Sequence, residues 1–150
     1  MAEIGLRTKM MVRDVMSSPV VTIDEDETVN KAAANMDMHD LGAVIVQNKA
    51  SKSIGIITER DIVIRVVAKN LKPDTVKANE IMTTPLVTIE PEASISEAAR
   101  RMNHLDIRRL GVIYKANLVG IISSKDVLGV MPELLEIMQE RSRIELEEEK

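Results

Sequence analysis

Residues 14–23 read Asp14-Val-Met-Ser-Ser-Pro-Val-Val-Thr-Ile23, and a closely similar segment returns 66 positions later as Glu80-Ile-Met-Thr-Thr-Pro-Leu-Val-Thr-Ile89. In both copies a short run of mostly β-branched residues follows the proline, which predicts a strand at 20–23 and at 86–89. A long segment repeated at a fixed distance indicates that the chain is built from two equivalent units.

The repetition continues through the rest of each copy. The segment 31–36 (KAAANM) corresponds to 97–102 (EAARRM) at the same offset. One residue is then lost, so that 55–62 (GIITERDI) corresponds to 120–127 (GIISSKDV). The loss falls in the predicted hairpin turn at 115–117, because a surface turn tolerates a change of length better than a strand or helix does. The sequence therefore predicts an internal duplication.

Each copy predicts the element order strand, helix, strand, strand, helix. Thr28 and Ser94 are the predicted N-caps of the first helices, and Ser94 is expected to form a capping box with Glu97. Further helices are expected after Thr58 and after Ser123. Continuous apolar runs form the predicted hairpins and are expected to be buried on both faces; they pair 43–46 with 54–57 and 110–114 with 118–122.

These elements predict one repeat at 10–69, a second at 76–131 and a C-terminal helix or tail at 132–150, with a linker around Pro73. Strands buried on both faces need cover that a single copy does not supply. We therefore expect an α+β (α/β-like) fold in which the copies pack about a pseudo-two-fold axis. That packing would create two related clefts at their junction.

Composition excludes several classes of protein. The 150 residues are 45% hydrophobic and 29% charged, as in a globular domain, and the absence of Cys excludes disulfides and thiolate catalysis. A net charge of −4 and a single aromatic residue, Tyr114, argue against nucleic-acid binding. No apolar run approaches the roughly 20 residues of a membrane span, and the N-terminus lacks the apolar region of a signal peptide. We expect a cytoplasmic protein.

The elements at 55–61 and 120–126 share the pattern Gly-Ile-Ile-(Thr/Ser)-x-(Arg/Lys)-Asp. Their simplest interpretation is structural, since a hydroxyl that caps a helix and a carboxylate at its third position form a capping box. A second interpretation is a nucleotide cradle. The glycine permits a close approach, the hydroxyl and carboxylate suit a ribose diol, and the helix N-terminus with its basic residue suits a phosphate. The residues concerned are Thr58, Arg60 and Asp61 in the first copy and Ser123, Lys125 and Asp126 in the second.

With these motifs in the same order twice, the chain resembles a tandem pair of CBS (cystathionine-β-synthase) domains, a Bateman module. The resemblance covers about residues 10–131. It implies a stand-alone regulatory sensor rather than an enzyme, with AMP, ADP, ATP or S-adenosylmethionine bound in the two clefts. It also implies a homodimer and a regulated partner whose identity the sequence does not give. Ligand binding would shift the population of conformations of the module.

The resemblance assigns roles to individual residues. Asp61 and Asp126 would hold the ribose hydroxyls, assisted by Thr58 and Ser123. The adenine would lie against the first strand, and the turn before it, of the opposite copy. The residues so placed are Thr83, Val87 and Thr88 for the Asp61 cleft, and Ser17, Val21 and Thr22 for the Asp126 cleft.

The two clefts are not expected to be equivalent. The second copy carries Arg108 and Arg109 just before its second strand, where the first copy has Gly42 and Ala43. A guanidinium group offers a bidentate fork to a phosphate. We therefore expect the Asp126 cleft to bind more phosphates, or to bind them more tightly.

Two other functional classes remain open at this stage. The chain would be a dimerisation module with empty clefts if Thr58 and Ser123 act only as helix caps. An enzyme would rest only on the paired aspartates, which the predicted fold places in separate clefts. His39 and His104 have no partners at ligand spacing, so we expect no metal site. The helix after Pro132 is expected to pack on its own module or on a second subunit.

Overall fold

A computed structural model of the chain describes residues 10–18 and 20–148. These residues form two compact units, which we name the central unit (20–87) and the terminal unit (10–18 together with 88–148). The units cross the boundaries of the repeated sequence. Each contains the hairpin and helices of one repeat together with the segment that precedes the first strand of the other.

The secondary structure follows the predicted order in both repeats. In chain order the elements are α1 (Val12–Val15), β1 (Thr22–Asp24), α2 (Val29–His39), β2 (Ala43–Gln47), β3 (Ser53–Thr58), α3 (Glu59–Ile62) continued by a π-helical turn (Val63–Val67), α4 (Ala78–Ile81), β4 (Thr88–Ile89), α5 (Ile95–Leu105), β5 (Arg109–Tyr114), β6 (Asn117–Ser123), α6 (Ser124–Gly129) and α7 (Met131–Glu148).

Each unit holds a three-stranded sheet of the same topology. In the central unit β1 runs parallel to β2, and β2 pairs antiparallel with β3. In the terminal unit β4, β5 and β6 repeat that arrangement. The parallel pair requires a crossover, which α2 and α5 supply. Residues 43–46 of β2 are all buried, as their continuous apolar character predicts. The same prediction is only partly correct in the terminal unit, where Tyr114 of β5 is exposed and only Gly120 and Ile122 of β6 are buried. The predicted α+β class and the order of elements are confirmed.

The first strands are shorter than the predicted 20–23 and 86–89. The register of β1 begins with Thr22 opposite Ile45, and that of β4 begins with Thr88 opposite Gly111. Val21 still contributes its carbonyl oxygen, which accepts a hydrogen bond from the Ile45 amide at 3.1 Å. The residues nearer each proline lie outside the ladder.

The predicted caps of α2 and α5 are confirmed, but the capping box is wrong. Thr28 Oγ1 accepts from the Lys31 amide at 3.3 Å, and Ser94 Oγ accepts from the Glu97 amide at 3.1 Å. The Glu97 carboxylate does not return to the Ser94 amide; it accepts from Arg101 Nη2 at 3.0 Å. A guanidinium one turn further along the helix therefore competes successfully for that carboxylate.

The core of the central unit is aliphatic, as a chain almost without aromatic residues requires. Its buried cluster consists of Ile23, Val29, Ala32, Met36, Val44, Val46, Ile57, Val66, Val76, Ala78 and Ile81. Met38 of α2 lies outside this core, since 75% of its surface is exposed. The last helix, α7, begins at Met131, one residue before the predicted Pro132. Within the described ranges no helix has both the length and the apolar character of a membrane span.

Candidate ligand-binding site

The two Gly-Ile-Ile-(Thr/Ser)-x-(Arg/Lys)-Asp elements form the predicted capping boxes at the starts of α3 and α6. Thr58 Oγ1 accepts from the Asp61 amide at 3.2 Å, while Asp61 Oδ2 accepts from the Thr58 amide at 2.9 Å. Ser123 Oγ accepts from the Asp126 amide at 3.1 Å, and Asp126 Oδ2 accepts from the Ser123 amide at 2.9 Å. The strand-to-helix turn thus places a hydroxyl and a carboxylate side by side in both units.

The glycine that opens the first element lies under a close backbone approach. A Cβ atom at Gly55 would lie 2.9 Å from the Thr83 carbonyl oxygen and 2.8 Å from Met82 Sδ. Thr83 exchanges two backbone hydrogen bonds with Ile56, at 2.8 and 3.0 Å, and so extends the sheet beyond β3. The expectation that this glycine permits a close approach is confirmed, and the approaching segment is the one that precedes the first strand of the second repeat.

The terminal unit repeats this contact with the segment that precedes the first strand of the first repeat. A Cβ atom at Gly120 would lie 2.6 Å from Met16 Sδ and 3.0 Å from the Ser17 carbonyl oxygen. Ser17 and Ile121 exchange backbone hydrogen bonds at 2.8 and 3.1 Å. In each unit, therefore, the strand that leads to the capped carboxylate of one repeat pairs with the segment before the first strand of the other repeat.

Asp61 has two further partners. Thr83 Oγ1 donates to Asp61 Oδ1 at 3.2 Å, and Arg65 Nε lies 3.8 Å from the same oxygen. Arg65 Nη1 also donates to the carbonyl oxygens of Ile81 and Met82, at 2.9 and 3.2 Å. Sequence reasoning missed Arg65, although its position four residues after Asp61 in a helix is a signal for such a pair.

The surroundings of Asp126 differ. This side chain is half-buried, whereas Asp61 is only 8% exposed. Arg109 lies opposite Ser123 in the β5–β6 register, and the Arg108 carbonyl oxygen accepts from the Ser124 amide at 2.8 Å. The structure therefore brings the two predicted phosphate-binding arginines to the end of the sheet at which α6 begins.

The other predicted ligand residues are more scattered. Arg60 and Lys125 are exposed in the first turns of α3 and α6. The remaining four lie at or before β1 and β4: Val21 and Thr22 in the central unit, Val87 at the end of that unit, and Thr88 in the terminal unit. Their contact with a ligand stays a prediction.

Two other features bear on the choice of site. An open groove of about 700 Å³ in the terminal unit runs along β4 and the far end of β5, past the Glu97–Arg101 ion pair. Of the predicted ligand residues it includes only Thr88, and it lies at the opposite end of β5 from Arg109. Over residues 10–18 and 20–148, no group of three His, Cys, Asp or Glu side chains is placed to hold a metal ion.

The family model for the CBS domain matches residues 12–68 and 78–133. An uncharacterised protein of Methanopyrus kandleri is 37% identical over 133 residues, which cover 88% of this chain and 68% of that protein. Hypoxic response protein 1 of Mycobacterium tuberculosis is 36% identical over 121 residues, covering 81% of this chain and 85% of the relative.

Solved structures of similar proteins also resemble this chain. The hexameric CBS-CP12 protein from bloom-forming cyanobacteria superimposes with a TM-score of 0.75 and 37% identity, over 79% of this chain and 69% of that one. The crystal structure of Hypoxic Response Protein I, described with two coordinated zinc ions, gives a TM-score of 0.72 and 34% identity, over 82% of this chain and all of that one.

Proposed function

We propose, from the premise that this chain belongs to the CBS-domain family, that it is a regulatory sensor that binds adenosine-containing ligands and modulates a partner protein. The ligands are AMP, ADP, ATP or S-adenosylmethionine. Binding is the whole of its chemistry in this proposal, and the ligand acts by shifting the population of conformations of the module.

The observation that carries the proposal is the repeated pairing of a capped carboxylate with a segment of the other repeat. Asp61 and Asp126 each lie beside the hydroxyl of a helix cap. The strand before each cap pairs with a residue of the other repeat, which is Thr83 in the central unit and Ser17 in the terminal unit. A carboxylate accepts hydrogen bonds from both hydroxyls of a ribose. A ligand held there would contact residues of both repeats at once, which is what a sensor of this kind requires.

The phosphates would be bound at the terminal unit by Arg108 and Arg109, which lie near Ser123. The central unit has Gly42 and Ala43 in their place, so we propose that the Asp126 site prefers ligands with more phosphates. Titration of AMP and ATP into the wild-type protein and an Arg108→Ala/Arg109→Ala variant tests this preference. Equal affinities throughout would refute it.

The adenine ring would lie between aliphatic side chains, because Tyr114 is the single aromatic residue of the chain. Ile56 pairs with Thr83 and Ile121 pairs with Ser17. Val21 and Val87 are the predicted opposing walls. Without stacking on an aromatic ring, recognition would depend on shape and on backbone hydrogen bonds. We therefore expect moderate affinity.

A thermal-shift panel with AMP, ADP, ATP, S-adenosylmethionine and NAD tests the function. A ligand that binds the native state raises the melting temperature according to the ratio of its concentration to its Kd. We expect at least one adenosine ligand to do so, and an Asp61→Ala/Asp126→Ala variant to lose the effect. If no ligand shifts the wild type, the caps are structural and the chain is a ligand-free dimerisation module.

We also propose that the chain self-associates as a homodimer. The helix after Asp61 exposes Val63, Ile64 and Val67, of which 57%, 42% and 64% remain accessible. In the terminal unit, 68% of Leu128 is exposed. Exposed apolar side chains grouped on one helix are typical of interfaces, and the similar cyanobacterial protein is hexameric. Analytical ultracentrifugation of the wild type and of Val67→Glu tests the dimer; a monomeric wild type would refute it.

A further inference from the structure

We infer that the two carboxylates differ in how readily they bind a ligand. Arg65 and Thr83 already contact Asp61, so the first adenosine ligand binds at Asp126. We name these two residues, with their bonds to Asp61 and to residues 81–82, the latch. The inference rests on the function proposed above and adds to it the order in which the sites fill.

Both oxygens of Asp61 are already engaged. Oδ2 accepts from the amide and the hydroxyl of Thr58, at 2.9 and 3.1 Å. Oδ1 accepts from Thr83 Oγ1 at 3.2 Å and lies 3.8 Å from Arg65 Nε. Since Asp61 is only 8% exposed and its Oδ1 already contacts Thr83 and Arg65, a ribose hydroxyl has to compete with these two side chains for that oxygen. Each displaced bond to a charged group lowers the net gain from ligand binding.

Asp126 has fewer internal partners. Its Oδ2 accepts from the Ser123 amide, while its Oδ1 receives no hydrogen bond from any residue in the described part of the chain. Ser17 stands at the repeat position of Thr83 and is exposed, and Val130 stands at that of Arg65. The valine side chain cannot donate a hydrogen bond, so Oδ1 of Asp126 remains available to a ribose hydroxyl.

The latch also reaches the second repeat, in the segment just before its first strand. Arg65 Nη1 donates to the carbonyl oxygens of Ile81 and Met82, directly before Thr83. Opening Asp61 therefore disturbs residues 81–83, whereas filling Asp126 leaves them in place. At low ligand concentration one site fills, and only the second binding event is coupled to residues 81–83 of the second repeat.

Isothermal titration of AMP into the full chain tests this order. We expect a tighter and a weaker event in the wild type, with Asp126→Asn removing the tighter one. Thr83→Val removes the hydroxyl that donates to Asp61 and should tighten the weaker event about tenfold, the effect of one charge-assisted hydrogen bond. Arg65→Ala removes an ion pair whose guanidinium is half-exposed, so it should tighten the same event by a smaller factor. Thr83→Ser, which keeps the hydroxyl that donates to Asp61, should not tighten the weaker event. Lys69→Ala, which removes an exposed positive charge one turn after Arg65, should leave both events unchanged.

The outcomes separate the two proposals. If Asp61→Asn removes the tighter event, or if Thr83→Val and Arg65→Ala leave the weaker Kd unchanged, the latch is refuted while nucleotide binding stands. If AMP, ADP, ATP and S-adenosylmethionine all fail to bind to every folded variant, both proposals are refuted. Circular dichroism melts identify which variants are folded.

Discussion

Gly55→Ala should destabilise the central unit, because the added methyl group clashes with the backbone of Thr83 as well as with the side chain of Met82. The new Cβ atom would lie 2.9 Å from the Thr83 carbonyl oxygen, far inside normal contact distance. That oxygen accepts from the Ile56 amide at 3.0 Å, so it moves away only if the bond to Ile56 is strained or lost. Met82 Sδ, at 2.8 Å, ends a flexible side chain and moves at lower cost.

The magnitude follows from these contacts. Overpacking of this kind costs about 1–3 kcal/mol, and two weakened backbone hydrogen bonds at roughly 0.5–1.5 kcal/mol each give a similar range. Alanine also lowers the conformational entropy of the unfolded chain, which offsets about 0.4–1 kcal/mol of this cost. We therefore expect a net loss of about 1–2 kcal/mol in the free energy of unfolding, or a Tm lowered by roughly 2–8 °C. Denaturant unfolding followed by circular dichroism measures it.

Gly129→Ala is the matched control. Nothing lies within 4 Å of a Cβ atom built at Gly129, and the residue lies in α6, so alanine should stabilise there by about 0.4–1 kcal/mol. A second control combines Gly55→Ala with Met82→Ala. If the Thr83 carbonyl is the obstacle, most of the cost of Gly55→Ala persists in the Met82→Ala background. Full recovery there, or equal effects of Gly55→Ala and Gly129→Ala, would contradict the reasoning.

Three further substitutions probe the helices. Thr28→Ala removes the cap that accepts from the Lys31 amide and should lower the free energy of unfolding by about 1 kcal/mol; an unchanged denaturation midpoint would argue against the cap. Asp106→Gly relieves a left-handed residue at φ 52° after α5 and should raise Tm, with a fall in Tm as the contrary result. Arg101→Ala removes the 2.7 Å bond to the Thr88 carbonyl oxygen and should cost about 1 kcal/mol in the same unfolding assay, whereas no loss would mean that water replaces it.

Much of the fold is predictable from local sequence. The duplicated pattern, the apolar runs and the hydroxyl caps indicate the order of elements, and the Thr58–Asp61 and Ser123–Asp126 boxes follow from residues three positions apart. Such features depend on backbone groups within one helical turn, so a linear pattern contains all the information. The Ser94 capping box fails for the same local reason, because Arg101 also lies within reach of Glu97.

Which residues come together at the candidate site is harder to predict from the sequence. The repeats suggest that the two carboxylates are alike, and the glycines predict that something approaches each strand. Long-range pairing decides which segment approaches each strand. Thr83 forms backbone hydrogen bonds with Ile56, 27 positions earlier in the chain, and this pairing brings its hydroxyl to Asp61. No local rule specifies that partner, because it depends on which strand edge is left free to pair.

By itself, the sequence determines the duplicated α+β architecture, the aliphatic core and the capped turns, since periodicity and capping chemistry are local. Tertiary structure alone decides that each compact unit takes its last pairing segment from the other repeat. It also decides that Arg65 and Thr83 converge on Asp61, while Asp126 keeps one carboxylate oxygen without a hydrogen bond to the described residues. The physical reason is that hydrogen bonds between distant segments form only after the sheet has brought their backbones together.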